Sequence, residues 1–261
     1  MMPEVKEALN RLDTLPKLLL DHAENRPDHS AIREKAYGIW QTWTWGNYAD
    51  HARSFACGLA SHGVSRGDKV AIVGDNRPEL YAAMAAAQCL GAIPVPLYQD
   101  AVADEMQYVL DHAEATVVVL EDQEQVDKVL SVREKCPKLE LLIYKDPRGL
   151  RHYRQHDLFR FSEVQARGEQ FDADNPDFFL TEVSKGRGED MSVILYTSGT
   201  TGQPKGVMTL TCEVDGQTTD LDSAISESLQ SVCKVRGTIA LVEPGSLPND
   251  GKIIDDTRTY E

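Results

Sequence analysis

Two short apolar segments indicate the fold class: KVAIV at residues 69–73 and AIPVP at residues 92–96. The first is typical of a buried strand, and the prolines of the second favour an edge strand or a strand end. Asn76, with a glutamate three residues later, predicts the start of a helix between them. Leu80 and Met84 place apolar side chains on one face of that helix. This strand–helix–strand order is typical of a parallel sheet.

The same alternation extends in both directions along the chain. Helices are predicted from about residue 48 to a glycine cap at Gly63, around residues 102–110 and around residues 126–130, with strands at residues 116–120 and 139–144. From about residue 148 to residue 190 the sequence is charged and irregular. We therefore predict an α/β fold with a doubly wound, largely parallel sheet, followed by a small α+β piece at the C-terminal end.

A polar loop, YTSGTTGQPKG at residues 196–206, follows the apolar stretch MSVIL at residues 191–195, which predicts a buried strand. Its glycines allow backbone N–H groups to approach an anion, its hydroxyls donate hydrogen bonds, and its lysine adds a compact positive charge. These properties favour phosphate as the ligand. The candidate phosphate-binding residues are Thr197, Ser198, Gly199, Thr200, Thr201, Gly202 and Lys205.

Three other interpretations of this loop fit less well. A Walker A loop ends in Gly-Lys-Ser/Thr, whereas here Pro204 precedes Lys205 and Gly206 follows it. A nucleophile elbow needs a glycine two residues before its serine, and Tyr196 occupies that position. A polar turn between strands is the simplest alternative, but the length and composition of the loop argue against it.

The loop resembles the phosphate loop of the adenylate-forming superfamily at every position from residue 197 to residue 206. The resemblance implies an enzyme that joins a carboxylic acid to AMP, using ATP with Mg²⁺, and then transfers the acyl group to the thiol of coenzyme A. Residues 12–208 resemble the N-terminal part of the long-chain fatty acid–CoA ligases within that superfamily. The segments that carry this resemblance are TWG at 44–46, GDKVA at 67–71, NRPE at 76–79, GAIPVP at 91–96 and DPRGLRHY at 146–153.

Beyond residue 208 the sequence departs from that family. The family's motifs for adenine, ribose, magnesium and the acyl tunnel are absent, while residues 209–214 and 237–242 predict strands. Residues 209–258 resemble the C-terminal end of the phenylacetate–CoA ligases. That resemblance implies that Lys252 reaches the α-phosphate and the carboxylate during adenylation, and a solvated lysine after a turn is the alternative. We predict a truncated AMP-binding domain at residues 1–208 and a tail resembling a ligase C-terminal domain at residues 209–261. A designed fusion, a gene deletion or an assembly error would each produce such a junction near Met208.

Composition restricts the possible partners and the compartment. The 261 residues carry a net charge of −15, which argues against a nucleic-acid or anionic-membrane surface unless a local basic patch exists. Five cysteines without C-x-x-C pairing indicate a reducing compartment, and no apolar run is long enough to cross a membrane, so we expect a cytoplasmic protein. His152 and His156 are four residues apart but lack the glutamate of a zinc motif, so we predict no metal site there.

By resemblance, the predicted function is ATP-dependent ligation of a fatty or aryl acid to coenzyme A, weak or absent in this chain because the middle of the catalytic domain is missing. The first alternative is a non-catalytic remnant or fused product that at most binds nucleotide. The second is an interaction module acting on a full-length ligase. Unpaired sheet edges would favour self-association.

Overall fold

A computed structural model describes residues 3–196, 209–213, 221, 223, 225 and 238–246. The chain divides into two compact units, Met1–Tyr196 and Thr197–Glu261. The first unit opens with α1 (Pro3–Leu9), α2 (Leu15–Asn25), β1 (Ser30–Ala36), β2 (Ile39–Thr44) and α3 (Trp45–Ser61). It continues with β3 (Lys69–Val73), α4 (Pro78–Cys89), β4 (Ile93–Leu97), α5 (Ala103–His112), β5 (Val117–Leu120), α6 (Gln123–Val132), a 3₁₀ turn (Arg133–Lys135), β6 (Leu141–Tyr144), β7 (Leu158–Arg160), α7 (Phe161–Asp174) and α8 (Phe178–Ser184).

The central sheet of the first unit has the strand order β4-β3-β5-β6-β7, and every neighbouring pair in it is parallel. The chain starts at β3, moves outward to β4, and then crosses back over β3 to build β5, β6 and β7. β4 is therefore an edge strand, as its prolines predict. A separate antiparallel hairpin joins β1 to β2.

Helices cover both faces of the sheet because successive strand residues point in opposite directions. Val70 and Ile72 of β3 lie in a core with α3, α4, α7 and α8, whereas Ala71 and Val73 lie in a second core with α5 and α6. β5 and β6 are buried along their whole length, as is typical of parallel strands covered on both sides. The prediction of a doubly wound α/β fold is confirmed.

Helices α3 and α7 pack unusually closely because glycines face each other at their contact. A Cβ added to Gly168 would lie 1.8 Å from the Ser54 carbonyl oxygen and 2.5 Å from the Gly58 nitrogen. A Cβ added to Gly58 would lie 2.2 Å from the Val164 carbonyl oxygen. Both positions therefore require glycine.

Three local predictions were wrong. The N-cap of α4 is Arg77 rather than Asn76, whose side chain instead accepts a hydrogen bond from Tyr81. The segment predicted to be irregular, residues 148–190, contains β7, α7 and α8, and its helices are hard to recognise because their exposed faces are strongly charged. Residues 191–195 do not form a buried strand: Met191 and Leu195 are exposed, and Ile194 donates a hydrogen bond to the Pro94 carbonyl at the open edge of β4.

The second unit contains a parallel strand pair, β8 (Thr209–Glu213) and β9 (Thr238–Val242). Both predicted strands are thus present, and residues 221, 223 and 225 between them are helical. In the described part of the chain, no helix combines the length and the apolar character needed to cross a membrane. Cys57, Cys89 and Cys136 are buried free thiols.

Candidate functional site

Open α/β sheets bind ligands at the carboxyl ends of their strands, at the point where the direction of winding reverses. Here the reversal lies between β3 and β5, since α4 packs on one face and α5 and α6 on the other. Glu121, the residue after β5, accepts a hydrogen bond from the Asp75 nitrogen at 2.6 Å and one from Arg77 Nε at 2.9 Å. The crevice between the two strands is therefore closed by a protein carboxylate.

Arg77 connects this closure to the hairpin. Its Nη1 donates to Glu34 Oε1 of β1 at 2.8 Å. The hydrogen bonds to Glu121 and Glu34 raise the pKa of Arg77 above its ordinary value, with Glu121 as the largest cause. Both carboxylates are largely shielded, with side-chain exposures of 13% for Glu121 and 18% for Glu34. Among the described residues, Arg77 is thus held by Glu121 and Glu34 and is not available to an anionic ligand at the point of reversal.

At the amino end of the sheet, a cleft of about 420 Å³ lies between α2, the strand starts of β3 and β4, and residues 183–192. Gly67 and Gly91, which belong to two of the family-like segments, shape its floor: the Gly67 nitrogen donates to the Gly91 carbonyl at 3.0 Å. Both have positive φ values, 90° and 68°, which favour glycine. A Cβ on Gly91 would lie 2.4 Å from Cζ of Arg66, and Arg66 in turn contacts Asp190 at 3.1 Å.

A buried lysine fixes the start of the segment that leads to the polar loop. Lys17 is 2% exposed, and its Nζ donates to Asp13 Oδ1 and to the Gly186 carbonyl, each at 2.7 Å. The hydrogen bond from Lys17 is the main cause that lowers the pKa of Asp13. The backbone at Gly186 is thereby attached to α2.

Further contacts fix residues 191–196, the last of which begins the polar loop. Gln88 Nε2 of α4 donates to the Ser192 carbonyl at 2.8 Å. The Ile194 nitrogen donates to the Pro94 carbonyl at 3.0 Å. The Tyr196 hydroxyl lies 2.7 Å from His112 Nδ1 at the end of α5, and its partial burial raises its pKa. Tyr196, the first residue of the polar loop, is therefore attached to the end of α5.

All of the predicted ligands lie outside the described residues. This applies to the phosphate-binding set Thr197, Ser198, Gly199, Thr200, Thr201, Gly202 and Lys205, and to the candidate adenylation residue Lys252. Their predicted roles stay predictions. Among the residues that the structure does describe, no group of three or more His, Cys, Asp or Glu side chains is arranged to hold a metal ion. His152 lies in a loop, where its Nε2 accepts from Arg151.

Comparison with known proteins identifies the family. Residues 19–220 match the family model described as AMP-binding enzyme. The matched region includes residues 191–196, the whole polar loop and all five strands of the parallel sheet. The chain belongs to the AMP-binding enzyme family.

Curated relatives in this family are fatty acid–CoA ligases. The chain is 32% identical over 197 residues to the long-chain-fatty-acid–CoA ligase ACSBG2 of Xenopus laevis, a match covering 75% of this chain and 26% of the relative. It is 28% identical over 194 residues to FadD15 of Mycobacterium bovis, covering 74% of this chain and 30% of the relative. The chain thus spans about a quarter to a third of the length of these relatives.

A solved structure shows the same fold. The anthranilate CoA ligase AuaEII, crystallised with anthranoyl-AMP, superposes with a TM-score of 0.59 at 22% identity, covering 74% of this chain and 33% of that chain. The predicted resemblance to adenylate-forming enzymes is confirmed by the family match and the curated relatives, and the fold class by this superposition.

Sequence reasoning missed the residues that hold residues 191–196 in place. Gln88 and His112 lie on helices far from the loop in sequence, and a lone glutamine or histidine on a helix carries no motif. The prolines of β4 were the one relevant sequence signal. They predicted an edge strand or a strand end, and an edge strand leaves an open side that residues 191–195 can contact.

Proposed function

We propose that this chain supplies the phosphate-binding part of an ATP-dependent acid activation of the long-chain fatty acid–CoA ligase type. The observation that carries the proposal is the attachment of Tyr196, the first residue of the polar loop, to His112 at 2.7 Å. A loop that binds phosphate through backbone N–H groups works best when its start is held rigidly.

In the proposed chemistry, the carboxylate of the acid attacks the α-phosphate of ATP, giving acyl-adenylate and pyrophosphate. The thiol of coenzyme A then displaces AMP. Backbone N–H groups and hydroxyls of residues 197–202 would hold the β- and γ-phosphates, with Lys205 as a charge partner. Lys252 would reach the α-phosphate and the carboxylate as negative charge develops there.

The charge of the chain sets a condition on this binding. A net charge of −15 repels ATP at long range, so attraction must come from contacts within the loop. Mg²⁺ bound with ATP would neutralise part of the phosphate charge. The closed crevice at Glu121 and Arg77 supports the polar loop, rather than the carboxyl end of the sheet, as the nucleotide site.

The matches cover 26% and 30% of the length of two curated relatives. Full ligation is therefore proposed for the ligase type. For residues 1–261 we propose nucleotide binding with impaired adenylation, because the family's motifs for adenine, ribose and the acyl tunnel do not follow residue 208. The alternative is a non-catalytic remnant that at most binds nucleotide weakly. We also propose a domain boundary near Met208, with residues 209–261 as the tail. The buried thiols Cys57, Cys89 and Cys136 support a reducing, cytoplasmic location.

Carboxylate-dependent ATP–pyrophosphate exchange separates these alternatives. The purified chain is assayed with acetate, phenylacetate, octanoate and palmitate, alongside Lys205→Ala, Lys252→Ala and the matched control Lys138→Ala, an exposed lysine before β6. Adenylation predicts weak exchange that survives in Lys138→Ala and disappears in the other two variants. Absence of exchange from a folded sample that still binds Mg-ATP would favour the remnant.

A further inference from the structure

The hairpin formed by β1 and β2 ends in an exposed apolar tip. Tyr37 and Gly38 form its two-residue turn, with φ values of 52° and 79°, as in a type I′ turn. The exposed fractions are 99% for Tyr37, 65% for Ile39 and 56% for Trp40. Three large apolar residues therefore meet solvent within four positions, and we call Tyr37, Gly38, Ile39 and Trp40 the hairpin tip.

The geometry of the turn does not explain why residue 37 is a tyrosine. Type I′ turns favour Asn, Asp or Gly at this position, because bulky residues with positive φ are strained. Because Tyr37 is 99% exposed, packing within the chain does little to offset this backbone strain. A contact outside the chain would explain an aromatic residue here.

Positive charge surrounds the tip. The Arg33 guanidinium lies over the Trp40 ring, 4.9 Å from its centroid, and Lys35 is the direct cross-strand partner of Trp40. Arg33 and Lys35 are both exposed, and within the described residues the structure shows no carboxylate bonded to either of them. The acid between them, Glu34, points inward to Arg77 at 2.8 Å. The hairpin thus presents cations outward and turns its carboxylate inward, in a chain whose net charge is −15.

A further cation lies close to the turn. Arg148 has a side-chain exposure of 86%. Its pKa is raised, chiefly by its hydrogen bond to Asp146 and to a smaller extent by the nearby phenol of Tyr37. Because Arg148 is paired with Asp146, it adds an exposed guanidinium but little net charge.

We propose that the hairpin tip is a docking surface for an anionic lipid membrane. Tyr37, Ile39 and Trp40 enter the interfacial layer, where aromatic side chains are favoured, while Arg33 and Lys35 contact anionic headgroups. Such binding needs no membrane-spanning helix. Because the chain as a whole carries a negative charge, we expect the hairpin tip to be the part that contacts the membrane.

Lipid fits the tip better than nucleic acid does. Single-stranded nucleic acid stacks its bases on free aromatic faces, but one face of Trp40 is covered by Arg33. Ile39 offers no stacking surface, and an aliphatic side chain gains most from leaving water for an apolar layer.

Sedimentation with vesicles tests the proposal on the full chain. We expect binding to vesicles of phosphatidylcholine containing about one third phosphatidylserine, and little binding to phosphatidylcholine alone. Trp40→Ser should lower the partition coefficient about tenfold, and Lys35→Ala about fivefold on the anionic vesicles only. The matched controls Leu15→Ser and Lys138→Ala, an exposed leucine and an exposed lysine at the amino end of the sheet, should bind like the wild type.

Tyr37→Asn separates binding from folding. Asparagine suits the positive φ, so this variant should melt at a higher temperature than the wild type and still bind vesicles more weakly. Quenching of tryptophan fluorescence by brominated lipid should disappear in Trp40→Phe, although Trp43 and Trp45 remain. Equal losses in Leu15→Ser, absence of binding to anionic vesicles, or Trp40-dependent binding to single-stranded DNA in place of lipid would each overturn the proposal.

Discussion

Arg77 Nε donates to Glu121 Oε1 at 2.9 Å across the gap between β3 and β5, where the winding of the sheet reverses. In many α/β proteins a ligand occupies this place. Here a bridge between two loops fills it: Glu121 also accepts from the Asp75 nitrogen, and Arg77 also reaches Glu34 of the hairpin. Gly74 makes the closure possible, because a Cβ there would lie 2.6 Å from Glu121 Cβ.

Arg77→Ala is expected to destabilise the first unit. Glu121 and Glu34 would lose their cation while remaining shielded from water, at a cost of about 2 kcal/mol in the free energy of unfolding. Urea denaturation measures this cost. The control is Lys135→Ala, which breaks a pair with Asp104 that is exposed on both sides and should leave the unfolding midpoint unchanged. Equal stability of Arg77→Ala and the wild type would show that the bridge is unimportant.

Gly168→Ala is expected to disrupt the contact between α3 and α7. The new methyl group would overlap the Ser54 carbonyl oxygen, 1.8 Å away, so the helices must move apart. Overpacking of this kind costs about 2 kcal/mol or more, which thermal or urea unfolding would detect. Glu169→Ala, at the neighbouring exposed position of the same helix, serves as the control and should change little. A stable Gly168→Ala variant would contradict the close approach of the two helices.

The buried thiols predict a loss of stability at alkaline pH. Burial raises the pKa of Cys57 and of Cys89 from 9.0 to about 12. Above pH 9 the unfolded chain releases these protons while the folded chain retains them, so unfolding is favoured progressively up to about pH 12, by as much as about 1.4 kcal/mol per pH unit for each thiol.

The double variant Cys57→Ala/Cys89→Ala isolates this effect. Its free energy of unfolding should fall less than that of the wild type between about pH 8 and about pH 10.5, measured by urea titration. Identical pH dependence in the two proteins would show that the thiols are not the cause.

His112→Ala tests whether the anchor of Tyr196 positions the loop. Losing one hydrogen bond of about 1 kcal/mol should weaken Mg-ATP binding about fivefold, with the melting temperature almost unchanged. Calorimetric titration measures the affinity. His152→Ala removes an exposed loop histidine and should bind like the wild type. If both variants bind equally well, His112 does not position the loop.

The parallel sheet was predictable because its strands carry a local signal. Lys69–Val73 and Val117–Leu120 are short apolar runs, and buried parallel strands have that composition. The cap of α4 was misplaced because Asn76 is a favourable cap residue by type, whereas in the structure its side chain bonds to the Tyr81 hydroxyl. Propensity identifies the region of a helix start but does not choose between adjacent residues.

The error at residues 191–195 has a different cause. An apolar run predicts a buried strand, yet strand formation requires a partner with free backbone groups. In the described residues this run meets β4 through a hydrogen bond from Ile194 to Pro94, and alternate residues of β4 are prolines that cannot donate. The loop motif could be recognised from the sequence because its residues are consecutive. The contacts of Gln88 with Ser192 and of His112 with Tyr196 could not be predicted, because they join residues that are distant in the sequence.

Calorimetric titration with Mg-ATP of the wild type, Lys205→Ala and Lys138→Ala tests most directly whether the loop at residues 197–205 receives the phosphates of ATP. We expect measurable binding to the wild type and to Lys138→Ala, and binding about tenfold weaker to Lys205→Ala, since that variant loses a charge-assisted contact. Equal affinity in all three folded proteins would contradict the assignment of the loop.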